Sequence, residues 1–575
     1  MLKIYRNLKP FAASIITILL LLFLQVMSDL YLPTLMSDIV NSGIMAGDIG
    51  YIWKTGEIML LIAAGGVICA VAAGYLGSRV ALGLGRNLRN QVFRRVENFS
   101  LHEFDKFGSS TLITRTTNDI IQIQTVTIMI INMMVRAPLT CIGGIMQAYH
   151  QDRTLTIVLA VALPILILVI WLVTSRVIPL FRQVQKKLDR INLILRENLT
   201  GIRVIRAFDK IGHEKARFED ANRDLTDTYI RVNRIMAFLM PMMMMIMNLV
   251  STSILWFGSK RIDTGEMNIG ALMAFTQYAM QIMFSLLMFV MMFVMIPRAQ
   301  AAADRISAVL ETTPEIVDPD QPEAAEEERG YVEFRNVTFR YHGAEQPAIR
   351  NVSFSVRPGE TTAIIGGTGS GKSTLINLIP RFYDVDEGEI LVDGTNVKAM
   401  TQEDLRKRIG FVPQKASLFT GTVKENLLYG REDATEEEIR HAAQVAQASE
   451  FITGMPDGYD SLLAESGRNL SGGQKQRLSI ARALVRRPEI YVFDDSFSAL
   501  DFKTDARLRA ALKKNTADAT VIIVAQRVGT VMDADRIIVL DEGAVAGIGT
   551  HRELLKECEV YREIVESQLS EEELA

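Results

Sequence analysis

The first half of the chain contains six long runs of apolar residues, separated from one another by polar or charged sequence. Each run is long enough to cross a hydrocarbon layer about 30 Å thick as an α-helix. The pattern predicts six membrane spans, and a cleaved signal peptide is disfavoured by the length of the first run and by the five that follow. The approximate limits are Phe11–Leu32, Ile58–Leu76, Val126–Ala148, Thr156–Thr174, Ile235–Phe257 and Gly270–Ile296.

The connections between these runs alternate between short and long. The connections after the second and fourth runs extend over several tens of residues and are rich in arginine and lysine. The positive-inside rule places them, and both chain termini, in the cytoplasm. Both long connections keep helical periodicity, so we expect membrane helices that continue into the cytosol. Pro179, near the start of the second connection, permits a kink without ending the helix.

Each long connection contains a less regular stretch, Phe104–Asp119 in the first and Glu197–Phe218 in the second. A turn between two long helices at the far end of a cytosolic stalk is a natural docking point. The alternative is a solvated helical hairpin without a docking function.

Two features inside the predicted spans bear on function. Arg136 lies in the third span, where a charge is paired, faces a water-filled cavity, or reaches the membrane interface. Flexible methionines of the last two spans suit a cavity for ligands of varied shape, although most of them are expected to face lipid or neighbouring helices. These methionines lie within Met240–Met247 and at Met280, Met283, Met288, Met291, Met292 and Met295.

The hydrophobic pattern changes after residue 311. Residues 312–330 are acidic and contain proline, which is typical of a solvated linker. In residues 331–575 apolar positions alternate from Val332 to Phe339, which predicts β-structure. We therefore predict an α-helical membrane domain over residues 1–311, with six transmembrane helices and long cytosolic extensions, followed by a linker and an α/β domain.

Composition agrees with a membrane part joined to a soluble part. The 575 residues exceed what one core accommodates, and 49% of them are hydrophobic while 22% are charged. The net charge of −4 gives no basic field for nucleic acid. Cys69, Cys141 and Cys558 lack the spacing of a metal or disulfide site and are expected to act as small hydrophobic residues.

A phosphate loop is the strongest chemical signal in the chain. The short apolar strand Thr361–Ile365 leads into a glycine-rich loop and then an apolar helix. In this context backbone N–H groups close around phosphate, Lys372 reaches the β- and γ-phosphates, and the Ser373 hydroxyl can bind Mg²⁺. The loop residues are Gly366, Gly367, Thr368, Gly369, Ser370, Gly371, Lys372, Ser373 and Thr374.

Two further motifs complete a nucleotide site. Apolar residues Ile490–Phe493 predict a buried strand that ends at Asp494, a carboxylate for the magnesium shell. Between this strand and the phosphate loop, a Ser–Gly–Gly sequence precedes a helical run and forms a second anion-binding surface. This surface comprises Leu470, Ser471, Gly472, Gly473 and Gln474.

Together these motifs resemble those of an ATP-binding cassette (ABC) exporter, in the half-transporter arrangement of one membrane domain followed by one P-loop nucleotide-binding domain. The resemblance covers essentially the whole chain and implies ATP and Mg²⁺ as cofactors. It implies that Tyr341 stacks on adenine, that Gln414 of the Q-loop joins Ser373 and Asp494 at the metal, and that Asp501 ends the D-loop. It also makes Leu470–Gln474 the signature motif.

The resemblance carries structural expectations as well. The two irregular stretches of the long connections look like coupling-helix regions, and Ala464–Gly467 looks like the loop that contacts the membrane domain. Two nucleotide-binding domains would sandwich two ATP molecules, with each phosphate loop facing the signature of the other chain. A second half-transporter is therefore an implied partner.

Two catalytic positions depart from the family pattern. Asp495 stands where Glu normally activates water, and Gln526, after the strand Val521–Ala525, stands where a histidine is expected. Aspartate is one methylene shorter, and glutamine cannot carry a proton or positive charge as histidine can. The signature motif is intact. This combination resembles the degenerate-site subunit of a heterodimeric bacterial multidrug exporter, a subunit whose own composite site hydrolyses ATP slowly.

The predicted function is ATP-driven export of hydrophobic or amphipathic small molecules, such as drugs or lipids, by an ATPase-coupled translocase in the cell membrane. Alternatives are a lipid flippase or an importer on the same scaffold, or a mainly regulatory ATP-binding subunit. Membrane lipid is an expected partner and nucleic acid is not. The six spans exclude soluble cassette ATPases that act on DNA or ribosomes.

Overall fold

The computed structural model describes residues 1–323 and 329–568, apart from the side chains of residues 2, 289–294 and 297. The chain divides into two compact units. The first comprises Met1–Glu97 and Ser110–Thr312, and the second comprises Asn98–Ser109 and the chain from Thr313 onward. Residues 324–328 of the predicted linker, and the side chains of Met291 and Met292, lie outside the described residues.

Six helices of the described chain are long and apolar enough to cross a membrane, which confirms the six predicted spans. Thr156–Thr200 has 45 residues, or about 67 Å at 1.5 Å per residue, so it continues well beyond a 30 Å hydrocarbon layer. The long helices are Ala12–Asp38, Ile49–Glu97, Asn118–Met129 continued by Val135–Gln151, Thr156–Thr200, Ile211–Asp263 and Ile269–Glu311.

The irregular stretches of the two long connections contain short helices, Leu101–Phe107 and Ser109–Thr116 in the first and Ile202–Ala207 in the second. Gly108, with φ of 74°, separates the first two, and Gly201 ends the helix before the third. Pro179 lies inside a continuous helix, so it does not end it. Short helical segments are Leu2–Tyr5, Arg6–Phe11, Ile39–Ile44, Leu101–Phe107, Ser109–Thr116 and Ile202–Ala207, and a π-helical turn spans Ile130–Met134.

A buried apolar seam joins the two long helices that flank the second irregular stretch. Val177, Val184 and Ile191 recur every seven residues along Thr156–Thr200 and are buried. They pack against a matching set that includes Leu225 of the next helix. A seven-residue apolar repeat is the pattern of two helices in coiled-coil contact, so these helices form a stiff antiparallel pair.

The described residues of the second unit form three β-sheets. The bounds of strands β1 to β12, in order, are Val332–Phe339, Ile349–Val356, Thr361–Gly366, Glu387–Val392, Thr395–Asn396, Ile409–Val412, Gly421–Thr422, Leu462–Leu463, Ile490–Asp494, Thr520–Val524, Arg536–Asp541 and Ala544–Gly549. A six-stranded sheet has the order β12-β11-β3-β10-β9-β6 and is parallel except for β12, and a four-stranded antiparallel sheet has the order β2-β1-β4-β5. Strands β7 and β8 form a small antiparallel pair.

Helices cover the central sheet, and every residue of β9 and β10 is buried. Strands buried on both faces read as continuous apolar runs, which is why Ile490–Phe493 and Val521–Val524 lack polar alternation. The helices of this unit, besides Leu101–Phe107, are Lys372–Leu378, Gln402–Lys407, Val423–Leu428, Glu436–Val445, Ser449–Thr453, Gly472–Arg486, Phe502–Asn515, Val528–Val531, His551–Glu557 and Glu559–Glu566, with single 3₁₀ turns at Gly458–Asp460 and Glu465–Gly467.

Candidate functional site

Three adjacent parallel strands bring the nucleotide-site residues to one edge of the central sheet. In the register, Val524 of β10 lies between Ile364 of β3 and Asp494 of β9. The phosphate loop follows β3, Asp495 follows β9 and Gln526 follows β10. Because carboxyl ends of parallel strands meet at one edge, residues more than 100 positions apart converge there.

The phosphate loop closes around the side chain of its own lysine. Lys372 is largely buried, and its Nζ donates to the backbone oxygens of Gly366 at 2.9 Å and Gly367 at 2.7 Å. Gly369 and Gly371 have φ of 83° and 94°, a conformation that side chains disfavour. Burial lowers the pKa of Lys372, while Asp495 and Asp494 oppose this shift, so the loop presents a cation in a poorly hydrated pocket.

The ring of Tyr341 lies beside the phosphate-loop helix and is held there by contacts with neighbouring side chains. Its hydroxyl shares a hydrogen bond of 3.0 Å with the Thr374 hydroxyl, and its ring makes edge contacts with Phe339 and Tyr383. The side chain stays 38% exposed, so these contacts fix the ring while leaving area for a planar ligand.

Asp494 and Ser373 are in direct contact, as expected for two ligands of one metal ion. The Ser373 Oγ donates to Asp494 Oδ1 at 3.0 Å. Burial raises the pKa of Asp494, and the nearby Asp495 raises it further, whereas the Ser373 hydrogen bond and Lys372 lower it. A buried carboxylate beside a hydroxyl is a donor set that suits Mg²⁺, which completes its shell with phosphate oxygens and water.

The Asp495 carboxylate accepts hydrogen bonds from two carboxamides. Gln526 Nε2 donates to Oδ2 at 3.2 Å, and Gln414 Nε2 donates to the same oxygen at 3.4 Å. Burial raises the pKa of Asp495, and the Gln414 hydrogen bond is the leading opposing effect. The backbone of Asp495 has φ of 46°, held by its N–H bond to the Val524 oxygen at 2.9 Å.

The signature motif forms the capped start of helix Gly472–Arg486. Ser471 and Gln474 make a capping box, in which each side chain accepts from the other residue's backbone N–H, at 3.3 and 2.8 Å. A Cβ on Gly473 would lie 3.1 Å from the Ala499 oxygen, so only glycine fits comfortably against the D-loop. The first turn therefore keeps an exposed positive end.

The structure separates the predicted site residues into two groups. The described hydrogen bonds join Ser373 to Asp494 and both glutamines to Asp495, but none joins the signature to the phosphate loop. Asp501 caps the next helix by accepting from Thr504 N–H at 2.9 Å, and the Thr504 hydrogen bonds lower its pKa.

Two residues that the sequence reading missed hold the site loops in place. Gln476 Nε2 donates to the backbone oxygen of Gln414 at 2.9 Å, which ties the signature helix to the Q-loop. Gln568 accepts from Val528 N–H and donates to the Gln526 oxygen, both at 2.8 Å. An isolated glutamine gives no local signal, so only its long-range contacts reveal such a role.

Comparisons with known proteins agree with this architecture. The protein-family profile "ABC transporter transmembrane region" matches residues 15–286, and the profile "ABC transporter" matches residues 349–498. An uncharacterized ABC transporter ATP-binding protein of Mycobacterium tuberculosis is 42% identical over 98% of this chain and 97% of its own length. An ATP-dependent lipid A-core flippase of Chromobacterium violaceum is 31% identical over 99% of this chain and 98% of its own length.

A solved structure shares the whole fold. A bacterial Atm1-family ABC exporter with ATP bound superposes with a TM-score of 0.80 at 27% identity, covering 97% of this chain and 99% of that one. The phosphate loop, the strand-end carboxylate and the six spans therefore occur in the setting that the sequence resemblance implied. The chain belongs to the ABC transporter family and is an exporter half-transporter, a multi-pass membrane protein with a cytoplasmic ATPase domain.

Proposed function

We propose that the chain is one subunit of a heterodimeric exporter of hydrophobic or amphipathic small molecules, and that its own phosphate loop forms the slow composite site. Its signature motif would complete the fast site of the partner subunit. ATP binding would close the nucleotide-binding domains, and the long cytosolic helices would carry this movement to the membrane spans.

The shared oxygen of Asp495 is the observation that carries this proposal. A water-activating carboxylate needs a free lone pair directed at the attacking water. Here Gln414 and Gln526 both donate to Oδ2, which fixes the orientation of the carboxylate and leaves Oδ1 to approach the water, on a side chain one methylene shorter than glutamate. A displacement of about 1 Å costs roughly a hundredfold in rate where geometry governs attack. The arrangement therefore favours retention of ATP over its rapid hydrolysis.

The residues at the metal position also support a bound nucleotide. Ser373 and Asp494 would hold Mg²⁺ together with phosphate oxygens, and Gln414 would approach it from the Q-loop. Among the described residues no group of three or more His, Cys, Asp and Glu side chains could hold a metal ion. Magnesium bound by few protein ligands and completed by phosphate matches this set. When bound, it would neutralise phosphate charge.

The ATPase rate of the purified chain as a homodimer tests the proposal. We expect slow turnover, about a hundredfold below that of an ABC exporter with Glu and His at the two positions. ATP binding should remain, and Lys372→Ala should weaken it as a control for specific binding. Adding a half-transporter with those residues and an altered signature should restore turnover. Fast hydrolysis by the chain alone would contradict the asymmetric pair.

A lipid flippase is the second candidate, because relatives about 31% identical over most of the chain are named lipid A-core flippases. Both candidates involve outward movement of an amphiphile. ATP-dependent transfer of fluorescent phospholipid between leaflets of proteoliposomes, compared with uptake of an amphipathic dye into inverted vesicles, distinguishes them. ATP-dependent movement of the dye in the opposite direction, out of the inverted vesicles, would instead favour an importer.

A further inference from the structure

The membrane unit has a half-open cavity of about 660 Å³ between its first, third and sixth spans. Its lining combines charged and carboxamide side chains with sulfur and aromatic groups. Its polar members include Asp29, Arg136 and Gln281, and its apolar members include Met133, Met280, Phe284 and Met288. Of the methionines singled out in the sequence, Met280 and Met288 therefore line a cavity.

An ion pair forms the polar end of this cavity. Arg136 Nη2 donates to Asp29 Oδ2 at 3.0 Å, so Arg136 is paired with an acid of the first span. The sequence signal for Asp29 is an acidic residue within the first apolar run. Charges in a span are costly, and they persist where a partner or a functional ligand compensates for them.

The guanidinium is the more accessible partner of the pair. Its side chain is 50% exposed, against 36% for Asp29. Arginine has five N–H donors in a fixed fork, and the described contact with Asp29 uses one of them. The remaining donors suit an anionic group with several oxygens, such as phosphate or sulfonate, or a carboxylate.

Gln281 adds an unsatisfied acceptor beside the pair. Its Nε2 donates to the backbone oxygen of Asp29 at 3.3 Å, whereas its Oε1 is buried and has no hydrogen-bond partner among the described residues. A buried acceptor without a donor is costly, and because Gln281 lines the cavity, a rotation of its carboxamide would present this oxygen to an O–H or N–H group of a ligand.

The remaining wall suits a hydrocarbon chain. Met280, Phe284 and Met288 recur every four residues and share one face of the sixth span, and Met133 lies on the third span. Thioethers adapt to chains of different shape, so this wall selects for apolar character with little selection for length.

We infer that this cavity binds the head of an acidic amphiphile: an anionic group on Arg136, a neighbouring O–H or N–H donor on Gln281, and an apolar tail along the methionines. The inference rests on the proposed export function, because it names the class of molecule that such a transporter would carry. Amphiphiles whose only charge is cationic bind less well, since the guanidinium of Arg136 is the more exposed of the two charges that line the cavity.

Binding to the full-length chain in nanodiscs of neutral lipid tests this inference. Dodecyl phosphate and dodecyltrimethylammonium have the same tail and opposite charge, and calorimetry below their micelle concentrations gives both affinities. We expect at least a tenfold preference for the phosphate. Arg136→Gln should weaken phosphate binding about ten- to a hundredfold, and Arg136→Lys should weaken it less. Gln281→Leu should reduce the affinity for an amphiphile that carries a hydroxyl beside the phosphate.

Lys260→Gln is the matched control, since Lys260 is an exposed cation over the Trp256 ring and does not line the cavity. It should bind dodecyl phosphate as the natural chain does. Equal affinities for the two probes, or an unchanged affinity in Arg136→Gln, would overturn the inference. Loss of ATP binding in Arg136→Gln would show that the ion pair with Asp29 maintains the fold, and this result would also overturn the inference. Probe binding without ATP-dependent transport would refute the export proposal and leave this inference standing.

Discussion

Gln526 and Asp495 are joined by a hydrogen bond of 3.2 Å between Nε2 and Oδ2, across 31 positions of sequence. The two residues at which the chain departs from the family's catalytic pattern therefore contact each other. A neutral carboxamide donates to the carboxylate without sharing a proton or carrying charge. We therefore expect the two positions to act as one unit, with coupled effects on the rate of ATP hydrolysis.

Replacing both members of this pair should raise turnover more than either change alone. Glutamate reaches one methylene further, and histidine can carry a proton to the developing charge. We expect Asp495→Glu combined with Gln526→His to increase ATP hydrolysis by the chain about ten- to a hundredfold. The two single changes should give gains whose product is smaller than the gain of the double variant, because residues in contact act non-additively. Steady-state phosphate release measures the rates.

Lys372→Ala in the doubly substituted chain should remove the gain, which shows that hydrolysis occurs at this phosphate loop. An unchanged rate in the double variant, with ATP still bound, would mean that another feature holds the site inactive. The partner's signature would then be the next position to alter.

Gln568 should act as a positioning residue for the loop that carries Gln526. Its two hydrogen bonds of 2.8 Å hold the backbone on both sides of Arg527. Gln568→Ala in the doubly substituted chain should lower kcat about three- to tenfold and leave KM for ATP unchanged, because orientation is lost while nucleotide contacts remain.

Ser567→Ala is the control for this effect, since the hydrogen bond described for its hydroxyl is local and goes to the backbone oxygen of Ile564, three residues earlier. It should keep the kcat of its parent. A rise in KM with constant kcat in Gln568→Ala would indicate a role in nucleotide binding and contradict loop positioning.

Tyr341 should contribute to ATP affinity through its ring more than through its hydroxyl. Stacking of a base on an aromatic ring is lost in Tyr341→Ala, which should raise the Kd for ATP about ten- to a hundredfold. Tyr341→Phe keeps the ring and its contacts with Phe339 and Tyr383, so its Kd should change less than about threefold. Displacement of a fluorescent ATP analogue measures both. Equal losses in the two variants would assign the effect to the Thr374 hydrogen bond.

Asp494 should destabilise the nucleotide-free chain in a pH-dependent way. Burial, followed by the charge of Asp495, raises its folded pKa above the ordinary 3.8. Its ionised form therefore costs stability above the folded pKa, and this cost disappears as pH falls below the unfolded pKa. Asp494→Asn should raise Tm at pH 7.5 by about 2–4 °C, and the difference should narrow as pH falls.

With Mg²⁺ and ATP bound, the natural chain should instead have the higher Tm, because the Asp494 carboxylate would complete the metal shell. Differential scanning fluorimetry of the detergent-solubilised chain, with and without nucleotide, gives both comparisons. A Tm difference that stays constant from pH 8 to below pH 3.8, the ordinary pKa of the group, would contradict the electrostatic origin. Asp384→Asn serves as a control because the described partner of its carboxylate is Arg381.

Several features of this protein follow from short stretches of sequence. The six spans depend on the length of apolar runs, and the phosphate loop depends on contiguous glycines followed by Lys372 and Ser373. The buried strand before Asp494 depends on four adjacent apolar residues. Helix and strand periodicity, backbone conformation and hydration act within a few residues, so one chain segment contains the information. Even Pro179 was placed correctly inside a continuous helix.

Other features were decided by the tertiary structure. The family resemblance, rather than any pattern, associated Gln526 with Asp495, and the order β3-β10-β9 puts them in contact. The Arg136–Asp29 pair joins residues 107 positions apart, and Gln568 reaches the Gln526 loop across 42. Such contacts depend on which strands and helices become neighbours. That choice is made by the packing of whole elements, whose energy is spread over many side chains and leaves no signal at the residues that finally meet.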